Sequence, residues 1–173
     1  MLFRSYKSYL PATARFRSIG STGDFQIDEG VLTAYFGEGG EVDIPEGVTA
    51  IGSSAFQNCA TLTKVMMPDS VTSIGEYAFA GCSTLEEIEF SSELISIGSN
   101  AFQGCGSLGR IEIPKTLEMI NSYAFARCSG LESVTFVEGA SLKVIKDNAF
   151  RECTSLKGIE FPKIGRASCR ERV

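Results

Sequence analysis

The dipeptide Ala-Phe recurs at Ala55-Phe56, Ala78-Phe79, Ala101-Phe102, Ala124-Phe125 and Ala149-Phe150, with successive phenylalanines 23, 23, 23 and 25 residues apart. A cysteine follows each phenylalanine by three positions, at Cys59, Cys82, Cys105, Cys128 and Cys153. Three further on stands a leucine: Leu62, Leu85, Leu108, Leu131 and Leu156. A two-step apolar alternation comes next, Val65/Met67, Ile88/Phe90, Ile111/Ile113, Val134/Phe136 and Ile159/Phe161, with an earlier copy at Val42/Ile44. Proline often closes that step (Pro45, Pro68, Pro114, Pro162), and isoleucine then recurs at Ile51, Ile74, Ile97, Ile120 and Ile145. A unit this short cannot bury a core alone, so neighbouring units must stack into a solenoid.

The spacing sets the local structure of each unit. A period-two alternation of β-branched residues describes a short strand with one buried face. Proline after it ends the strand, because it has no amide proton for the ladder. One such strand per repeat, stacked about 4.8 Å apart, predicts a parallel sheet along one side of a right-handed coil. Two positions before each alanine stand Ser53, Glu76, Ser99, Ser122 and Asp147, and four of these are good N-caps. They predict a short helical turn from there through Ala-Phe to the cysteine. Gly52, Gly75, Gly98, Asn121 and Lys146 precede them; glycine and asparagine tolerate positive φ, and Lys146 argues that the site does not require it. The invariant alanine implies room for a methyl group only, and Phe56, Phe79, Phe102, Phe125 and Phe150 are expected to stack as a buried aromatic spine. The two extra residues of the last spacing fall within 137–141, in a loop where insertion costs little. Residues 25–36 read as a hairpin turning at Asp28-Glu29-Gly30. The fold class is therefore an α/β-type repeat solenoid with an N-terminal β-hairpin cap.

With these residues in view, the chain resembles the BspA-type leucine-rich repeats, also called the Treponema pallidum type. Their repeat reads Leu-x-x-Ile-x-Ile-Pro-x-x-Val-x-x-Ile-Gly-x-x-Ala-Phe-x-x-Cys. The stretch from Leu62 to Cys82 follows it closely, with Met67 at the second isoleucine position. The stretch from Leu85 to Cys105 departs at Ser91, and that from Leu131 to Cys153 departs at Val137 and by its insertion. The resemblance covers about 120 of the 173 residues. It is specific for fold and weakly specific for ligand, since repeat folds host many. It implies a surface-exposed or secreted microbial protein, in a family where some members are adhesins.

The expected organisation is a disordered lead-in over 1–22, a β-hairpin cap over 23–41, and about five and a half repeats over 42–163, truncated. Residues 164–173 depart from the repeat and match one reading frame of a widely used short-read sequencing adapter, so no evolved role is expected of them. The first 18 residues carry Arg4, Lys7, Arg15 and Arg17 and no acid, and lack the apolar stretch of a secretory signal. No apolar run reaches the roughly 18 residues of a membrane-spanning helix, so no membrane insertion is expected of this segment.

Net charge is −5 overall, yet residues 24–163 hold 20 acids and 9 bases. A body that acidic repels a phosphate backbone, which argues against nucleic acid as a partner. The chain has no histidine, which removes the usual general base and the commonest metal ligand, and no tryptophan. The repeat cysteines fall at one place in every coil, where parallel Cβ vectors disfavour bridging neighbours. Buried free thiols are expected of Cys59, Cys82, Cys105, Cys128 and Cys153. No clustering suits a metal, no base would activate a nucleophile, and no cofactor or catalytic residue is assigned.

What remains is the outward face of the strands. One column reads Glu41, Lys64, Glu87, Arg110, Ser133, Gly158, with signs alternating over the first four, which predicts cross-strand charge pairing. The other reads Asp43, Met66, Glu89, Glu112, Thr135, Glu160 and is mostly acidic. It is the candidate ligand-binding ridge, for a protein or glycan with a basic patch; as a merely solvated face, it would serve to block aggregation. The chain thus reads as a non-catalytic recognition or adhesion module. The alternative is a structural spacer that presents another domain.

Overall fold

The computed structural model describes residues 20–159. Thirteen strands follow in chain order. The first four are β1 (Gly20–Thr22), β2 (Phe25–Asp28), β3 (Val31–Tyr35) and β4 (Gly40–Asp43). The coils then supply β5 (Ala50–Ile51), β6 (Leu62–Met66), β7 (Ser73–Ile74), β8 (Glu87–Glu89), β9 (Ser96–Ile97), β10 (Arg110–Ile113), β11 (Met119–Ile120), β12 (Ser133–Phe136) and β13 (Val144–Ile145). They wind into a parallel β-solenoid of about five turns.

Each coil contributes two strands, one more than the periodicity predicts. The longer ones form the expected parallel sheet, paired as β4-β6-β8 and β10-β12, with the ladder interrupted between β8 and β10. The two-residue strands at the recurring isoleucines form a second parallel sheet, β5-β7-β9-β11-β13, continued by β3, β2 and β1. Between the sheets the inward columns form one hydrophobic core. Val65, Ile111, Leu62, Leu85, Leu108 and Leu131 are all at most 1% exposed. Where Ser91 replaces proline it stays buried because its hydroxyl is used twice. It donates to the Asp69 carbonyl at 3.3 Å and accepts the Glu93 amide at 3.0 Å.

The Ala-Phe corner is not the short helical turn that its N-cap-like residues predict; no helix is present among the described residues. Ser54, Tyr77, Asn100, Tyr123 and Asn148 all take φ of 55–60°. Four residues on, Asn58, Gly81, Gly104, Arg127 and Glu152 take φ of 60–77°. A left-handed residue every four positions stops right-handed helix from propagating. The freed amides point along the solenoid axis: Phe56, Phe79 and Phe102 each donate at 2.7 Å to the alanine carbonyl of the next coil. Nor is φ positive at Gly52, Gly75 or Gly98. Their constraint is close approach: a Cβ on Gly98 would lie 2.6 Å from the Gly75 carbonyl carbon. Asn121 stands at that place one coil on, its side-chain amide donating to the Ile97 carbonyl at 2.8 Å.

The phenylalanines stack as a spine with ring centroids 4.8–5.4 Å apart. Phe56, Phe79, Phe102 and Phe125 are at most 2% exposed. Phe150 is only partly buried, and stacks on Phe125 at 5.4 Å. Cys82, Cys105 and Cys128 are buried, whereas Cys59 and Cys153, in the end coils, are half-buried. The hairpin extends the spine: Tyr35 stacks on Phe56 at 4.9 Å, and Phe25 packs against Tyr35 at 5.3 Å with its ring tilted by 43°. Its turn has positive φ at both Glu29 and Gly30, the two-residue geometry that matches strand twist. Gly20–Thr22, expected in the lead-in, pairs antiparallel with β2. The rest of the lead-in, Glu160 and the segment 164–173 lie outside the described residues.

Candidate binding face

The strand register decides which side chains share the outward face. Pairing runs Glu41↔Lys64↔Glu87 and Asp43↔Met66↔Glu89 across β4, β6 and β8, then Arg110↔Ser133 and Glu112↔Thr135 across β10 and β12. The intervening residues Val42, Val65, Ile88, Ile111 and Val134 are buried, so both columns stand on the opposite side of the strands. Asp43, Glu89, Glu112 and Thr135 are exposed and Met66 is half-buried. Glu160, the last member of that column, lies outside the described residues.

Among the described positions of the two columns there are five carboxylates and two cations. Lys64 is held between strands, its Nζ 2.6 Å from Glu89 Oε1 and 3.2 Å from Glu87 Oε2. Those hydrogen bonds, Glu89 first, raise its pKa above the ordinary lysine value. The alternating column predicts the Glu87 contact; the shorter diagonal contact to Glu89 links the two columns. Arg110 forms no ion pair among the described residues. Glu41 and Glu112 thus share a surface on which lysine positive charge is already engaged. At the β4 end the face meets a concavity lined by Phe25, Tyr35, Phe36 and Glu38 as well as Glu41 and Asp43. Phe36 is 67% exposed there. Its place at the hairpin's end, beside three carboxylates, was the available sequence signal for this extension.

Sequence periodicity also carried ion pairs that the strand columns do not include. Lys143–Glu118 (2.7 Å), Lys157–Glu132 (3.0 Å) and Arg127–Glu152 (3.0 Å) each join residues 25 apart, one coil from the next. No group of three or more metal-ligating side chains converges among the described residues.

Residues 49–168 match the BspA type leucine rich repeat region in six copies. The chain belongs to the BspA-type leucine-rich repeat family. Among solved structures it is similar to the T. pallidum leucine rich repeat protein, at 35% identity and a TM-score of 0.73. That match covers 86% of this chain and 70% of the other. A leucine rich cell surface protein from Faecalibacterium prausnitzii matches at 41% identity and a TM-score of 0.69, over 75% of this chain and 34% of its own. A leucine-rich repeat protein from Bacteroides capillosus matches at 32% identity and a TM-score of 0.62, over 70% of this chain and 99% of its own. The chain therefore spans about a third of the F. prausnitzii protein. No curated protein matches the sequence. The BspA-type repeat accounts for the strand that carries the face.

Proposed function

We propose that this BspA-type array is a non-catalytic protein-interaction module of a cell-surface or secreted protein, binding through its strand-bearing face a protein partner with a basic patch. The observation that carries the reading is the excess of exposed carboxylates on adjacent, regularly spaced strands, with Lys64 already paired to Glu87 and Glu89. Side chains on regular strands are ordered before docking, so less freedom is lost on binding. An acidic field favours encounter with a basic surface, and salt screens it. The surface setting is supported by the F. prausnitzii relative, described as a leucine rich cell surface protein. Among the described residues no helix is long and apolar enough to cross a membrane.

The test is charge reversal with the longest natural array that contains these repeats. Its surface partners are captured, and affinity for the tightest is compared with that of Glu89→Lys/Glu112→Lys. Both residues are exposed, so the melting temperature is expected to hold within a few degrees. Affinity is expected to fall by about tenfold or more, and the wild-type association rate to fall as salt rises. Unchanged affinity at an unchanged melting temperature would move the site off this face and leave the spacer reading standing.

A further inference from the structure

The Ala-Phe corners form a second regular surface. The residue before each alanine is held in the left-handed region, and in the first four coils its amide is fixed to the next coil. Tyr77 donates to the Ser99 carbonyl at 3.1 Å and Asn100 to that of Ser122 at 3.1 Å. Asparagine suits this backbone conformation, and it is found there in two coils; a bulky aromatic suits it poorly. Tyrosine nonetheless occupies it at Tyr77 and Tyr123, with φ of 55° and 57°.

The two tyrosines stand on alternate coils, and the position three residues on alternates with them. Beside the tyrosines it is a buried alanine (Ala80, Ala126), and in the coil between them it is Gln103. Over these three coils the corner surface therefore alternates. Rings in the adjoining phenylalanine spine step by 5.0 Å from Phe79 to Phe102 and again to Phe125. Two such steps set Tyr77 and Tyr123 about 10 Å apart along the axis. Tyr123 Oη accepts a hydrogen bond from Asn148 Nδ2 at 3.2 Å, so the ring extends along the axis toward the next coil. Tyr77 is 39% exposed. Tyr123 is half-buried, as are Asn100 and Gln103, which offer neutral amides between the two rings.

We propose that Tyr77, Asn100, Gln103 and Tyr123 form a platform for an extended, neutral β-1,4-linked glycan laid along the solenoid axis. In such a glycan alternate sugars present the same face, at a disaccharide repeat close to the tyrosine spacing. Each ring stacks on the apolar face of every second sugar, and the amides between meet hydroxyls of the intervening one. Tyrosine supplies apolar area with a polar tip and few torsions to immobilise. The platform is distinct from the acidic strand face and involves no charged side chain.

The test measures binding of cellohexaose and chitohexaose to the wild-type protein by calorimetry, with maltohexaose as the α-linked control. β-1,4 hexasaccharides are expected to bind with little dependence on salt, and maltohexaose to bind at least about tenfold more weakly. Tyr77→Asn/Tyr123→Asn installs the residue that Asn100 and Asn148 already show to fit this backbone, so it should fold. It is expected to lose about tenfold or more in affinity, whereas Tyr77→Phe/Tyr123→Phe retains most of it and Glu89→Lys/Glu112→Lys all of it. In the unmodified protein, cellohexaose should shift the ring resonances of Tyr77 and Tyr123 and leave Tyr35 unmoved, a reading that needs no variant. Absence of binding to both β-1,4 hexasaccharides would overturn the proposal. So would equal affinity in the asparagine variant, or ring shifts confined to other tyrosines.

Discussion

From the second coil onward, each repeat cysteine donates its thiol proton to the phenylalanine carbonyl one coil back. Cys82, Cys105, Cys128 and Cys153 reach Phe56, Phe79, Phe102 and Phe125 at 3.1–3.2 Å. The Phe56 carbonyl also accepts the Cys59 amide, so both its lone pairs are used. The site calls for a small, largely apolar side chain with one proton to give, and cysteine meets all three needs. Burial pushes the Cys82 thiol up to about 12. Contact with the Cys105 thiol raises Cys128, and contact with Cys128 raises Cys153, burial adding in both cases. The consequence for stability has a definite sign. An unfolded thiol ionises near 8.5, whereas folded Cys82 stays protonated. The unfolded state therefore binds fewer protons above that pH, and stability is full below about 8.5 and falls as pH rises toward 12. Each such thiol contributes up to about 1.4 kcal/mol per pH unit in that window. Tyr35, raised mainly by burial, adds a loss of the same sign at the upper end. Cys82→Ser keeps a donor and removes one titration, so its denaturation midpoint should fall less steeply than wild type between pH 8.5 and 11. Parallel slopes would show that this thiol is not held protonated by the fold.

At the scale of the element, the spine and the corner that carries it separate what the sequence revealed from what it hid. Phe102 lies between Phe79 and Phe125 at 5.0 Å on each side and meets Phe90 edge-on at 5.8 Å. Truncating it to alanine should cost about 3–5 kcal/mol through lost burial and a cavity. Phe150→Ala should cost visibly less, because that ring is only partly buried. Chemical denaturation checks both, and equal losses would mean that the stack does not transmit packing from ring to ring. The long strands were legible because Val65 and Met67, or Ile111 and Ile113, span enough residues for period two to register. The strands at Ile51, Ile74 and Ile97 are two residues long and cannot show alternation, so their recurrence marked burial without marking a sheet. The corner misled because serine and aspartate before alanine serve turns as well as helix starts. Asn58, Gly81, Gly104 and Asn100 did signal left-handed backbone, but Tyr77, Tyr123, Arg127 and Glu152 at equivalent places obscured it. On the face, parity assigned the outward columns, whereas the diagonal Lys64–Glu89 contact depends on side-chain reach that spacing does not encode.

Across the whole molecule every coil is held by its neighbours, so stability is nearly a sum over nearest-neighbour interfaces. The central coils have the strongest case for protection. Leu85, Ile97, Phe102, Leu108 and Ile120 are fully buried, and the amides of Phe79 and Phe102 reach the next coil at 2.7 Å. The fifth coil is looser: Leu142, Ile145, Phe150 and Leu156 are only partly buried, and Val144 is 42% exposed. Its link to the fourth coil includes Lys143–Glu118 and Lys157–Glu132, exposed pairs that contribute little each. Opening should therefore begin at the fifth coil and travel inward, leaving coils two to four as the cooperative unit. Native-state hydrogen exchange tests this directly. The amides of Phe79 and Phe102 should exchange only through global unfolding, while those of Lys146 and Arg151 exchange through partial openings of lower free energy. Phe102→Ala should then lower the protection of Phe79 and of the strand amides on both sides, because it weakens two interfaces at once. Uniform protection from the second coil to the fifth would instead mean that the solenoid opens as one block, and the nearest-neighbour picture would fail.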